Sequence, residues 1–465
     1  MATLACKLGT RYVLLFGGTL LLAIGMGATI AYAPRILGDS GSYMVAGAFL
    51  VAVGVVVILL KWQVGAVMLP ALLPYEGIIN LGPVASGIKA IALLTLFSLA
   101  LSLLRDQRLL ERFLRLWQRP LTLTALVFLC WVFASVTWAS QQEAALAKMI
   151  TFTGVFSLMV IIGMLEERYL ELMWLTTALS AVISIPAALL SSQGEAMDTG
   201  GRFSGEAIDP NEYACLLVIV FLVTYFGLRR NKILTYILAP ILFFGIFASL
   251  SRTGLITLVA APILAVLIPR SSIRLGGRTL LMYGLGTLAL AAIILAIPWV
   301  GENVWERYMT LLQYSNQETW SGRWDIWRGA LKVVISHPFL GVGTGNFPYA
   351  AVDYSQYVMR LSAQGEQGGV AHNVLLSVAS ELGLIGLALF LGILFFAFRS
   401  LFLITQRSTL GTGVFLGLVA FTIAGMALTW EDEKIGWVLL GSVLSLHLQP
   451  SAQHVPLVGR QENRR

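Results

Sequence analysis

The sequence predicts an all-α, polytopic bundle of transmembrane helices. Apolar runs long enough to cross a bilayer about 30 Å thick recur along the chain as far as residue 448. Hydrophobic residues make up 57% of the chain and charged residues only 12%, which is about half the charged fraction of an ordinary soluble domain. Because the runs are continuous and do not alternate apolar with polar residues, they predict helices and not a barrel.

The hydropathy pattern divides the chain into fourteen predicted spans. They are 12–33, 43–60, 63–80, 83–104, 120–139, 145–165, 169–190, 211–228, 233–250, 254–269, 279–299, 374–398, 409–429 and 435–448. The third span contains Pro70, Pro74 and Glu76, which interrupt an apolar helix. If this span and a neighbour are re-entrant, the count is twelve.

The basic residues indicate which ends of the spans face the cytoplasm. Most of the 31 Lys and Arg residues lie at the N-terminus, in alternate loops at 105–119, 229–232 and 270–278, or in the tail. By the positive-inside rule, these segments and both termini are cytoplasmic. The net charge of +7 is therefore mostly a topology signal and does not indicate a nucleic acid partner.

The chain divides into five predicted units, one of which is a large external loop. The units are N-terminal transmembrane helices at 1–190, central transmembrane helices at 191–299 with external loops that carry Arg202 and Arg252, the large external loop at 300–373, C-terminal transmembrane helices at 374–448, and a cytoplasmic tail at 449–465.

Within the large loop, residues 321–335 have the apolar spacing of a helix. Trp324, Trp327, Leu331 and Val334 form one predicted apolar stripe along it. A short helix with such a stripe would lie on the membrane or pack against the bundle.

Two arginines in external segments stand out, because positive charge is not needed there to set topology. Arg252 stands in the short connection SLSRTGL, where it could snorkel to lipid headgroups or bind an anionic substrate. Arg323 has aromatic neighbours; it could hold a phosphate in a bidentate contact, or it could pair with Asp325 or Glu318.

The stretch VAHNVLLSVASELG places polar residues at the start of the next span. His372 is one of four histidines in the chain, and it could act as a general base for a hydroxyl nucleophile or only begin the helix. Asn373 is a candidate helix cap. Glu381 lies about 13 Å deeper along a helix, so we expect it to pair with a buried cation or a neighbouring helix, with a role in orienting the site left open.

Several familiar motifs are missing. GVGTGNF has Asn346 where a dinucleotide fingerprint needs its third glycine. The chain has no phosphate-loop lysine motif, no HExxH and no serine-nucleophile elbow. We interpret Glu431, Asp432 and Glu433 as an acidic loop at the outer end of a span. We predict no metal and no cofactor.

Four blocks together resemble the O-antigen ligase and polymerase superfamily. They are GRFSG…DPNEYA at 201–214, SLSRTG at 249–254, SGRWDIW…HPFLGVGTGNF at 321–347 and AHNVLLSVASELGLIG at 371–386. The resemblance covers roughly residues 190–400. It implies a helical bundle of the glycosyltransferase C type in the bacterial inner membrane, with its active site facing the periplasm.

By this resemblance, the protein moves a glycan from undecaprenyl diphosphate to a sugar hydroxyl without a metal or a nucleotide. Ligases of the family use lipid A-core as the acceptor in lipopolysaccharide assembly, and polymerases use another lipid-linked glycan. The family pattern implies that Arg252 and Arg323, with Arg202 as a further candidate, bind the diphosphate and that His372 activates the acceptor. Trp324 and Trp327 would support the sugar.

A secondary transporter of a small anion is the alternative from another class of protein, because such proteins also place ionisable residues on broken helices. The predicted charged residues lie in external loops and not at the middle of the membrane, which favours the transferase.

Overall fold

The computed structural model describes residues 41–76, 87–190, 209–228, 232–267, 277–296, 320–363 and 369–449. These residues form helices and no strands, so the predicted all-α fold is confirmed. The first half of the described chain contains α1 (Gly41–Leu60), α2 (Trp62–Ala71), α3 (Gly87–Leu103), α4 (Gln107–Trp117), α5 (Pro120–Ser135), α6 (Gln142–Gly163), α7 (Glu167–Leu190) and α8 (Pro210–Leu222), which continues as a π-turn (Val223–Gly227).

The second half begins with three further helices and ends with three, and the short helices of the large loop lie between them. The elements are α9 (Lys232–Ala248), α10 (Arg252–Leu267), α11 (Gly277–Leu295), α12 (Trp320–Ser336), α13 (Phe347–Ala351), α14 (Gln356–Ala363), α15 (Val374–Ile404), α16 (Thr409–Gly425) and α17 (Lys434–His447).

Four of the described helical segments are long and apolar enough to cross a membrane by themselves: Pro120–Trp138, Gln142–Gly163, Pro210–Gly227 and Val374–Ile404. The α3–α4 pair adds a fifth if it counts as one span, although it bends by 115°. Six shorter apolar helices accompany them. The chain is thus a multi-pass membrane protein, while the total of twelve to fourteen spans stays a prediction, since the span at 12–33 lies outside the described residues.

The structure corrects two predicted segments near the N-terminus. The span predicted at 63–80 is broken: α2 has 10 residues, about 15 Å of helix, and a short 3₁₀ turn at Leu73–Tyr75 follows it. The basic segment at 105–119 is not only a loop but contains the amphipathic helix α4. Asp106 caps α4 by accepting a hydrogen bond from Arg108 N at 2.9 Å.

Helices α8, α16 and α17 form the centre of the bundle. Most residues of α8 are buried, whereas many residues of the longer α15 are not. Helix α10 shows the pattern of a peripheral helix, because Ile256, Val259, Ile263 and Leu267 on it are all more than half exposed. Such apolar exposed stripes are the surface that a membrane-spanning bundle presents to lipid.

The two ends of the bundle differ in their charged residues. Helix α17 starts after a loop that contacts His372, and it ends at His447, whose Nε2 lies 2.9 Å from Arg119 Nη1. Arg112 of α4 donates to Leu165 O at the same end, at 2.6 Å. We call this the basic end. The opposite end, which carries Asp209, His372 and the arginines described below, is the polar end.

Candidate functional site

Asp209 and Arg252 stand at the first turns of two neighbouring helices at the polar end. The Asp209 side chain caps α8 by accepting from Asn211 N at 2.6 Å and Glu212 N at 3.3 Å, as expected for Asp followed by Pro at a helix start. Arg252 is the first residue of α10. The adjoining Ser251 Oγ donates to Asn211 Oδ1 at 3.0 Å, which ties the two helix starts together.

Arg323 lies on the first turn of α12, half-buried, and interacts electrostatically with Asp209 and His372. Among the described residues no hydrogen bond or salt bridge engages its guanidinium. The predicted alternative partner Asp325 instead accepts from Ser355 Oγ at 2.7 Å and Tyr357 N at 2.9 Å. Arg323 therefore lies within electrostatic range of His372 without a hydrogen-bonding partner among the described residues.

Two residues of the apolar stripe predicted for α12 are exposed, which agrees with the predicted alternative that this helix lies on the membrane. Trp324 is 54% exposed and Leu331 is 52% exposed. The buried stripe consists of Ile326, Ala330 and Val333, which are at most 2% exposed. Both faces of this helix are apolar, so spacing alone does not decide which of them packs on the protein.

Trp324 and Trp327 both lie close to the site. Their rings are 5.5 Å apart between centroids in an edge-to-face arrangement. Trp327 Nε1 donates to Ala371 O at 3.1 Å, which connects α12 to the residue before His372. Trp324 is 54% exposed, so its ring offers an aromatic surface beside Trp327.

His372 and Asn373 form the entry to α15. His372 has a left-handed backbone with φ of 46°, and its N–H donates to Thr429 Oγ1 at 2.9 Å. Asn373 Oδ1 accepts from Leu375 N at 3.0 Å and Leu376 N at 3.1 Å. The interpretation of Asn373 as a helix cap is confirmed.

The surroundings of His372 favour its neutral form. Burial lowers the pKa of the imidazole, the positive charge of Arg323 lowers it further, and the negative charge of Asp209 opposes both. Burial also lowers the pKa of Arg323, again opposed by Asp209, but an arginine remains charged at neutral pH. A neutral histidine beside a cation can accept a proton.

Glu381 belongs to a separate ion cluster inside the bundle. Lys148 Nζ lies 2.9 Å from Glu381 Oε2 and 2.8 Å from Glu431 Oε1. Ser377 Oγ donates to the same Glu431 oxygen at 2.6 Å. The predicted pairing of Glu381 with a buried cation is confirmed. Glu431 lies in the loop between α16 and α17, as predicted for the acidic segment, and its side chain is buried in this cluster.

The glycine-rich stretch at 341–347 is a packing element and not a nucleotide loop. Gly341 and Gly383 both have positive φ, and a Cβ on Gly383 would lie 2.1 Å from Phe339 O. The break that Gly383 makes in α15 lets Leu384 N donate to Pro338 O at 2.8 Å. Gly345 N donates to Glu381 Oε2 at 2.8 Å, so the stretch also holds the inner ion cluster.

The structure brings Arg323 and His372 together, and the Ser251–Asn211 bond places Arg252 next to the helix start that carries Asp209. Arg202 lies outside the described residues. Sequence reasoning missed Asp209, Thr429 and Lys148. The segment DPNEY indicates a helix cap at Asp209. Lys148 in the predicted span 145–165 indicates a buried partner, because a charge within a span is costly. Nothing in the sequence points to Thr429.

Comparison with known protein families agrees with this arrangement. Residues 237–391 match the O-antigen ligase family. The O-antigen ligase match covers roughly a third of the chain and includes Arg252, Arg323, His372 and Glu381, while Asp209 lies outside it. It supports the predicted O-antigen ligase and polymerase superfamily. No curated protein matches the chain. Among the described residues, no three metal-ligating side chains lie together.

Proposed function

We propose that this protein is an inverting glycosyltransferase that moves a glycan from undecaprenyl diphosphate to a sugar hydroxyl, as O-antigen ligases do. The observation that carries the proposal is the half-buried His372, whose pKa is lowered by burial and by the nearby Arg323 cation. A base, His372, and a cation, Arg323, thus lie within electrostatic range of each other, each near the start of a helix. The family match supports an O-antigen ligase-like enzyme in general terms.

In the proposed reaction, His372 takes the proton of the acceptor hydroxyl while that oxygen attacks the anomeric carbon of the donor sugar. The bond from this carbon to the diphosphate oxygen breaks, and undecaprenyl diphosphate leaves with the bonding electron pair. Arg323 and Arg252, with Arg202 as a further candidate, stabilise the negative charge of the leaving group. Proton removal by His372 and stabilisation of the leaving group by the arginines both act on groups whose charge changes in the transition state.

The remaining parts of the proposal concern the sugar and the membrane. Trp324 and Trp327 would provide a surface for a sugar ring. The polar end would face the periplasm of a bacterial inner membrane, and the basic end the cytoplasm, by the positive-inside rule. The reaction would need neither a metal nor a nucleotide. The acceptor would be lipid A-core or another lipid-linked glycan.

A polymerase of the same superfamily is the nearest alternative, and a secondary transporter of a small anion is the second. The Lys148, Glu381 and Glu431 cluster is the observation that favours transport, because intramembrane charges and broken helices occur in transporters. In this cluster, however, the lysine already has two carboxylate partners, whereas Arg323 makes no such pair with the described residues.

The test uses the full-length protein in proteoliposomes with an undecaprenyl-diphosphate glycan and candidate acceptors. Wild type should transfer sugar, and His372→Ala and Arg323→Ala should lose most of the transfer. A single joining event indicates a ligase, and a ladder of products indicates a polymerase. If no sugar moves to any acceptor while a labelled anion crosses the membrane, the transferase proposal is wrong.

A further inference from the structure

The backbone of His372 adopts a conformation that its neighbours must maintain. Its φ of 46° lies in the left-handed region, which residues with a Cβ enter at an energetic cost. Such residues keep this conformation only where the surrounding structure fixes it, and they occur often at functional sites. The contacts that fix His372 therefore affect where its imidazole lies.

These contacts come largely from residues 426–433, which join α16 to α17 and which we call the clamp loop. Thr429 Oγ1 accepts from His372 N at 2.9 Å, and Met426 O accepts from Asn373 Nδ2 at 3.1 Å. On the other side, Trp327 Nε1 donates to Ala371 O. Three consecutive residues, 371–373, are thus held by hydrogen bonds to distant segments of the chain.

The clamp loop is itself anchored in the interior of the bundle. Glu431 Oε1 accepts from Lys148 Nζ at 2.8 Å and from Ser377 Oγ at 2.6 Å. Glu431 O accepts from Trp437 Nε1 at 3.0 Å. Because Thr429 lies two residues before this anchor, the threonine hydroxyl has a defined place relative to the start of α15.

We infer that Thr429 is a positioning residue for His372. Its hydroxyl oxygen accepts the His372 N–H bond and holds the backbone in the left-handed conformation, so that the imidazole meets the acceptor hydroxyl at the correct place. Thr429 needs no contact with substrate to do this. The inference rests on the proposed function, in which His372 is the base.

The test compares Thr429→Val, which keeps the branched shape but removes the acceptor oxygen, with Thr429→Ser, which keeps the oxygen. In proteoliposomes, we expect the valine variant to lower kcat by ~10-fold or more with KM for donor and acceptor within about 2-fold, because a displaced catalytic group loses rate more than binding. The serine variant should stay within about 3-fold of wild type.

Thr422→Val is the matched control. Thr422 Oγ1 bonds to Leu418 O within α16 at 2.9 Å, so this substitution also removes a threonine hydroxyl from the same region but should leave kcat unchanged. Thr429→Cys, which keeps the size of threonine and weakens the acceptor, replaces the valine variant if the latter does not fold. A double variant with His372→Ala should show no further loss from the change at Thr429, since both act through one group.

Two results would overturn the inference. One is a kcat of the valine variant equal to wild type, and the other is a serine variant as slow as the valine variant. Full activity of His372→Ala would instead show that the proposed function is wrong, and this variant is measured in the same assay.

Discussion

Two charged clusters among the described residues have different roles. In the inner cluster, Lys148 lies within 3 Å of one oxygen from each of two buried carboxylates, Glu381 and Glu431. In the outer cluster, Asp209, Arg323 and His372 interact electrostatically, and the Arg323 guanidinium makes no hydrogen bond with the part of the chain that the structure describes. Removing one member of a buried, paired charge cluster is strongly destabilising, whereas a cation that retains hydrogen-bonding capacity can bind an anionic ligand.

The largest expected effect tests the outer cluster. Replacing His372 by Gln removes the proposed base while keeping a polar side chain of similar size, so kcat should fall about 10²–10⁴-fold. The melting temperature of the purified protein should change little, since the ring makes no hydrogen bond with the described residues. A large loss of melting temperature with intact kcat would make His372 a structural residue.

The next effect concerns the inner cluster. Lys148→Met leaves two buried carboxylates without their cation, so the free energy of unfolding should fall by about 3–5 kcal/mol. Thermal unfolding in detergent measures this. The triple variant with Glu381→Gln and Glu431→Gln, which removes all three charges, should recover much of the loss. If the single variant is as stable as wild type, the cluster does not hold the bundle together.

The pH dependence of kcat/KM separates the contributions of Arg323 and Asp209. The Arg323 cation lowers the pKa of His372, so Arg323→Gln should raise it and move the acidic limb of the profile to higher pH. The Asp209 carboxylate opposes this lowering, so Asp209→Asn should move the same limb to lower pH. Burial still lowers the pKa in both variants. Shifts in the same direction for both would contradict the proposed arrangement.

The smallest expected effect compares two helix caps at opposite ends of the bundle. Asn373→Ala and Asp106→Ala each remove a side-chain cap and should each cost about 1 kcal/mol of stability. Only Asn373→Ala should also lower transfer activity, because Asn373 adjoins His372 and bonds to the clamp loop. Equal loss of activity in both variants would show that general destabilisation is the cause.

Much of the outer cluster could be predicted residue by residue. Arg252, Arg323 and His372 stand out because polar residues near apolar spans are costly and need a reason. In the structure, Arg323 lies within electrostatic range of His372, and Arg252 lies beside the helix start that carries Asp209. The helix caps were equally predictable, since capping depends on residues within one turn. Which face of α12 is buried was not predictable, because both faces are apolar. The packing of α13 and the other short helices against one face decides it.

The helical class, the apolar runs and the order of the cationic residues along the chain can be read from the amino-acid sequence alone. These follow from local composition and periodicity, which need no knowledge of distant segments. The packing of the helices was needed to show that Lys148 pairs with Glu381 across 233 residues of chain, that Asp209 lies within electrostatic range of His372, and that Thr429 accepts the His372 N–H bond. Such pairings depend on how helices pack, because a buried charge or a strained residue is stabilised by whichever group the fold brings next to it.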